Sequence, residues 1–489
     1  MYKAPSKRKK RTQLFFIYSL MITSVVAIVA ILVLILLGYR FNRFDGKVEQ
    51  GGLVQFDSRP SGADVVVDQA RLANKTASRI TLTTGDHTVT ISKSGYTTWK
   101  KDVTVKAGTI LWLDYALLLP QKPATKIVAT TAGAVSSSSS PDRKHIAYIG
   151  VENEPKVYVA ALNDADTTVD SLAIEPKFVT ANAEGSAERY RVVAWDKDNR
   201  HVIVGHTYNN DKQEYLRVDT RGDNETKNIT RDLGVDIVQL ECDLDDANLL
   251  YVLTAARELR RINLSNNTVS GPLVPNVSEF TQADRSTLTY STLKDTVTNK
   301  RSVGYMTEGA SKPRIMRSVN DGEVATLGLL IGRYFGEQYM VFHQDKAVEI
   351  YKGDISASDS ASGPSLKLLK KVTASEPVTA AQFSPDEKRF ITLQNAVGAD
   401  VYDLELSKQS KLVFSTPPVG KLNWINKFHI ATTSGNTFSY YDFDGTNGTT
   451  VATSALPLPA VMSENSKYMY HFAQAETGVQ LVQTKLTID

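Results

Sequence analysis

Few side chains in this sequence stand at spacings that do chemistry, and most of those read equally well as turn or core residues. His201 and His206 lie five apart on an apolar stretch that alternates like a strand. An odd separation sends the two rings to opposite faces, so they cannot share a metal there. Asp442, Asp444 and Asn447 resemble the start of a calcium loop, but the position eleven residues after the first ligand is Thr453 rather than glutamate, which points to a polar hairpin turn. Arg221-Gly222-Asp223 matches an adhesion tripeptide short enough to recur by chance. The serines at 136–140 lack the Gly-x-Ser-x-Gly setting of a nucleophile and read as a linker entering a turn. Cys242 is the only cysteine, so no intramolecular disulfide can form, and it is expected as a small buried residue. No zinc-ligand spacing, H-E-x-x-H, phosphate loop or nucleotide fingerprint occurs, so no metal, cofactor or enzymatic role is expected. Tyr96 and Trp99, beside a turn, are a candidate platform for stacking sugar rings, with core packing as the other use.

The elements that would carry these residues begin with an anchor. Residues 14–37 contain no charged side chain, and a helix of that length spans a hydrocarbon layer about 30 Å thick. Tyr18, Ser19, Thr23 and Ser24 are its polar members, and their hydroxyls can bond within the helix. The apolar run exceeds the core of a secretory signal, which favours an uncleaved anchor. Lys3, Lys7, Arg8, Lys9, Lys10 and Arg11 precede it, whereas Arg40, Arg43 and Lys47 follow. That bias holds residues 1–13 in the cytoplasm and places the remainder beyond the plasma membrane, with Tyr39, Phe41 and Phe44 at the interface. Removing those six N-terminal cations from the net +3 leaves the rest at −3, which argues against a nucleic-acid groove.

Residues 52–119 alternate with a period of two between turn residues, the pattern of half-buried strands. Val103 and Val105, then Leu111, Leu113, Tyr115 and Leu117, share one face. The segments Pro60-Ser61-Gly62-Ala63-Asp64-Val65, Leu82-Thr83-Thr84-Gly85-Asp86-His87-Thr88-Val89-Thr90-Ile91 and Lys93-Ser94-Gly95-Tyr96 resemble the PEGA domain. The resemblance implies a small extracytoplasmic β-sandwich without a catalytic residue to carry over. Ser61 stands in place of the family's glutamate, and Ala77 follows Thr76 where a proline is usual.

After a linker at 120–124, residues 125–489 repeat a weak unit with a spacing of about 40 to 56 residues, the period of four-stranded propeller blades. Turns fall near Ser140-Pro141-Asp142, 196–199, 243–248, 283–285, 335–337, Ser384-Pro385-Asp386, 423–426 and 463–465. Ser140-Pro141-Asp142-Arg143-Lys144-His145-Ile146-Ala147-Tyr148 and Ser384-Pro385-Asp386-Glu387-Lys388-Arg389-Phe390-Ile391 resemble the WD40-like repeats of TolB-type propellers. Eight blades are expected, with seven as the alternative. The last unit shows three strands, so residues 126–130 are expected to supply its fourth and close the ring.

An all-β body behind one transmembrane helix is thus the expected fold. The function expected is an extracytoplasmic binding or scaffold protein of the bacterial envelope, anchored in the lipid bilayer through residues 14–37. The small domain would space the propeller from the membrane, and the propeller would present a face to another envelope protein or a cell-wall glycan. A propeller-type glycan lyase or hydrolase with carboxylates at the channel mouth is the alternative. A sensing role is disfavoured, because so short a cytoplasmic tail holds no signalling domain.

Overall fold

The computed structural model describes residues 7–36, 39–41, 48–163, 167–222, 226–355, 365–386, 388–414, 422–453 and 455–488. Lys3, Leu37, Arg43, Phe44, Lys47, Asp223 and Glu387 lie outside the described residues. The chain divides into two compact units, 1–122 with 488–489, and 123–487.

In the first unit, Lys7–Leu36 is one helix. Its stretch Leu14–Leu34 has a mean hydropathy of 2.7 and is long and apolar enough to cross a membrane. Thr23 Oγ1 donates to the Ser19 carbonyl at 2.9 Å and Ser24 Oγ to that of Met21 at 2.8 Å. Both hydroxyls therefore meet their need inside the helix, which lowers the cost of placing them in hydrocarbon.

The β-part of this unit is a sandwich. Gly52–Arg59 lies between Ser78–Leu82, antiparallel, and Ile110–Leu117, parallel. The second sheet runs Ala70–Arg71, Asp64–Val67, Gly85–Ser92, Trp99–Val105. Alternation does what the pattern asks: Val54, Phe56 and Leu113 are buried from one sheet, and Val65, Val89, Ile91 and Trp99 from the other. Thr76 fixes the turn that carries Ser61, because its hydroxyl meets Ser58 Oγ at 2.7 Å and accepts from Ala63 N at 2.9 Å.

The second unit contains, among the described residues, eight four-stranded antiparallel sheets, here I to VIII. Their first strands are Ser136–Ser139, Arg189–Trp195, Ile237–Cys242, Val277–Asp284, Leu327–Tyr334, Ala380–Phe383, Asn423–Trp424 and Val461–Met462. Each expected turn lies at the junction of the first and second strand of one sheet, those at 283–285, 335–337 and 423–426 overlapping a strand end. Only two turns carry Ser-Pro-Asp, yet other side chains do the same work. Ser140 Oγ accepts from His145 N and Ser384 Oγ from Phe390 N. Asp196 accepts from Arg200 N, Asp243 from Asp245 N and Asn426 from Phe428 N. A short polar side chain capping the backbone is the part of the repeat that folding needs. The exception is sheet V, where Phe335 and Gly336 form a tight hairpin with φ of 52° and 80°.

Sheet VIII completes the ring. Thr125–Thr131 pairs antiparallel with Val479–Lys485, so a strand from the start of the array finishes the last sheet, as the sequence implies. Ile146 and Tyr148 of sheet I share a core with Tyr470, Phe472 and Leu481 of sheet VIII. Similar apolar seams join I to II, II to III, III to IV, IV to V and V to VI. Phe390 stacks on Phe443 at 4.1 Å between VI and VII, and Phe438 on His471 at 5.4 Å between VII and VIII. This closed packing is a β-propeller.

One expectation is corrected here. Ser136–Ser139 is not a linker but the first strand of sheet I, paired with His145–Ile149. Small side chains let the neighbouring strand come close: Val192 N donates to Ser136 Oγ at 2.9 Å and Trp195 Nε1 to the Ser138 carbonyl at 3.0 Å. Tertiary contact overrides the weak strand preference of serine.

Candidate functional site

Each first strand ends the hydrogen-bonding order of its sheet and pairs with one strand only. The first strands of sheets IV, V and VI adjoin one another in sequence. Residues of these strands, with neighbours from the second and third strands, line a cavity of about 620 Å³. The outer edge of the sheet IV strand is met by side chains of sheet III, with Gln239 Nε2 donating to the Phe280 carbonyl and Gln282 N to Glu241 Oε2, both at 2.8 Å.

Two glycines of sheet V make room for the wall. A Cβ at Gly328 would overlap the His343 imidazole, and one at Gly332 would stand 2.6 Å from the Phe383 ring. His343 therefore turns its Nε2 edge toward residue 328 and is only 8% exposed, and Phe383 lies over 332, half-buried. Burial pushes the His343 pKa down to about 4, so the ring is neutral at pH 7.

Polarity without charge dominates the wall. Gln282, Thr326 and His343 line the cavity, but Gln282 Oε1, Thr326 Oγ1 and His343 Nδ1 are themselves buried behind its surface and have no hydrogen-bond partner. Gln282 spends its Nε2 on Asp243 Oδ2 at 3.1 Å, which leaves the oxygen as a pure acceptor. Arg301 stands by Asp321, Nε to Oδ1 at 3.1 Å but outside hydrogen-bond geometry, and donates from its terminal nitrogen to the Val324 carbonyl, while Lys388 Nζ donates to the Ala283 carbonyl at 2.6 Å. Burial lowers the Lys388 pKa, against the pull of Asp284. Among the described lining residues Glu279 is the only carboxylate.

The residues singled out by sequence lie elsewhere. Tyr96 and Trp99, the expected stacking pair, are 5% and 1% exposed and present no face to a sugar. Trp99 is wedged between the two sheets of the sandwich, edge-on to Tyr115 at 5.7 Å with Lys101 Nζ 5.8 Å over its ring. The Tyr96 hydroxyl accepts from Ile488 N at 2.6 Å, and Ile488 groups with this unit rather than with the propeller. The exposed tryptophan of the unit is Trp112, which alternation places opposite the core face.

His201 and His206 have separate partners, as their spacing requires. His201 Nδ1 meets Asp196 Oδ2 at 2.6 Å. His206 bridges two carboxylates, Nδ1 to Glu214 Oε1 at 2.8 Å and Nε2 to Glu188 Oε1 at 2.9 Å, between the stacked rings of Tyr190 and Tyr208. Asp442 and Asp444 serve their own turn, accepting from Asn447 Nδ2 at 2.9 Å and Thr446 Oγ1 at 2.7 Å. Cys242 sits against the core between sheets II and III, and burial pushes its thiol up to about 12, so it is no nucleophile at neutral pH. What sequence reading missed is the wall itself. Gly328 and Gly332, four apart on one strand, were the available signal, since glycine inside a strand marks a close approach.

Comparison with known proteins gives one family and a set of distant folds. The PEGA domain matches residues 52–120. No curated protein matches the chain. Among solved structures, Saccharomyces cerevisiae Sqt1 has a TM-score of 0.42 at 11% identity, covering 75% of this chain and 98% of its own. The β-propeller domain of Myceliophteria thermophila Cps50 (Swd1) has a TM-score of 0.39 at 10% identity, covering 74% and 99%. An oligogalacturonate lyase in complex with manganese has a TM-score of 0.41 at 11% identity, covering 63% and 96%.

Proposed function

We propose that this PEGA-domain protein is a membrane-anchored, extracytoplasmic binding protein of the bacterial envelope whose propeller takes its ligand in the cavity bounded by sheets IV, V and VI. The N-terminal cations hold the tail in the cytoplasm and the helix anchors the chain in the plasma membrane. The partner is an envelope protein or a cell-wall glycan. One observation carries the reading: a cavity of about 620 Å³ lined by polar side chains of sheets IV, V and VI, among them Ser278, Thr281, Gln282, Thr289 and Gln382. Pockets of that size with a few convergent polar groups are the usual form of binding sites. A lone carboxylate supports binding over glycan cleavage, which ordinarily uses a pair.

The test is co-purification from detergent-solubilised membranes with the full chain and with Thr281→Trp. Thr281 is exposed on the cavity wall, so the indole fills space without disturbing a core. A component retained by the natural chain and released by Thr281→Trp is the expected result. Retention indifferent to that change, turnover of glycan oligomers by the purified chain, or a C-terminal body shielded from protease in intact spheroplasts would each sink the reading.

A further inference from the structure

We propose that the open face of the small domain's first sheet, around Ile110 and Trp112, lies in the head-group layer of the bilayer that the chain's own helix spans. This rests on the anchoring part of the reading above and gives the sandwich itself a membrane contact. The path of the chain sets the distance. Tyr39–Phe41 pairs antiparallel with Val48–Gln50, which puts Gln50 opposite Tyr39, and Tyr39 follows closely on the helix end at Leu36. A cross-strand step and two extended residues then bring Gly52, where the sheet's central strand starts, within about 13 Å of Tyr39. The turn at 106–109 lies at the same end, because Gly108 N donates to the Gly51 carbonyl at 3.0 Å and Leu53 N to that of Thr109 at 2.9 Å.

The side chains change along this face as a bilayer interface does. Register aligns Ile110 with Leu53 and Thr81, then Trp112 with Gln55 and Arg79. Asp57 and Asp114 follow two residues further along their strands. Ile110 is 50% exposed and Trp112 41%, while the alternate residues Val54, Phe56 and Leu113 fill the core. Away from Gly52 the face is therefore apolar, then aromatic beside polar groups, then acidic. Rows two residues apart along a strand are separated by about 7 Å, close to the depth of one head-group layer, about 5–7 Å. The first two rows fit within that layer, and the carboxylates clear it. An indole favours this depth, since its ring is apolar and its N–H needs a polar partner. Lys106, exposed in the adjoining turn, adds a cation at the level of the lipid phosphates. A sugar stacked on the indole would press hydroxyls against Ile110 and Leu53, whereas lipid gains by covering them.

The experiment reconstitutes the full chain in nanodiscs of mixed zwitterionic and anionic phospholipid, with and without bromine on the acyl chains, and reads tryptophan fluorescence. Comparison with Trp112→Phe separates this residue from Trp99, Trp195 and Trp424. Bromine should quench a component that is present in the natural chain and missing from Trp112→Phe. Ile110→Asp should lose the same component with thermal unfolding unchanged, because that side chain is exposed. Equal quenching in the natural chain and Trp112→Phe overturns the inference. So does a Trp112 shielded in native membranes but open in pure lipid, which would make the face a protein-docking surface. Alkaline carbonate extraction reports on the anchor separately. A chain retained in the bilayer without Trp112 quenching loses this contact and keeps its anchor; a chain released by carbonate loses both.

Discussion

His206 in sheet II and His343 in sheet V both lie near the end of the second strand of their sheet, and both are buried, yet their surroundings differ in kind. His206 has a carboxylate on each ring nitrogen and a tyrosine on each face. Glu214 in turn accepts from Thr180 N, Thr180 Oγ1 and Asn228 Nδ2. His343 has a glycine beneath it and no partner at Nδ1. The first is a closed network that holds the 176–188 segment to its sheet. The second is a buried nitrogen with no partner, in a residue that lines the cavity. A buried polar residue is evidence of a site only when its hydrogen bonds are unmet, because a met network has already used its chemistry on folding.

That contrast can be broken most forcefully at Glu214. Glu214→Ala leaves His206, Asn228 and Thr180 without their shared acceptor, and loss of one partner from a buried ionic network costs about 3–5 kcal/mol. Thermal unfolding should show a large drop; a change of only a degree or two would mean that the network is not the brace described here.

Acid separates the two regions next. Burial raises the Glu214 pKa, but its hydrogen bonds from His206, Thr180 and Asn228 outweigh this and hold it at about 2. Its contribution is therefore present above the unfolded value near 4.5 and is lost as pH falls toward 2. His343 is depressed to about 4 by burial, and His471 likewise, opposed there by its bond with Phe472. The unfolded chain binds these protons near pH 6.5 and the folded chain only near 4. Each histidine therefore adds a penalty that is absent above pH 6.5 and grows to about 3 kcal/mol as pH falls toward 4. Melting temperature should thus decline below pH 6.5, before the Glu214 network titrates, and less steeply in His343→Leu. Equal slopes in the two proteins would remove His343 from the account.

The smallest effect sharpens the comparison at neutral pH. His343→Leu removes an unmet polar group and keeps apolar volume over Gly328, so stability should change by less than about 1 kcal/mol or rise. A loss as large as that of Glu214→Ala would show that His343 is as well satisfied as His206.

Much of the fold was legible because its causes are local. The alternation at 111–117, the turn residues at 140–142 and 384–386, and the missing fourth strand of the last unit each depend on neighbours in sequence. The serine run misled because its strand is imposed by the Arg189–Trp195 strand beside it. Tyr96 and Trp99 were ambiguous for a related reason: an aromatic beside a turn looks the same whether a second sheet covers it or not.

The sequence by itself determined the apolar helix, the strand pattern of both β-units and the pairing that closes the ring, since periodicity and turn chemistry are written in adjacent residues. Only the tertiary structure decided where a ligand can go. Gln282, His343 and Phe383 come from three sheets, and whether a polar atom finds a partner depends on what folding brings within about 3 Å of it, which no local pattern records.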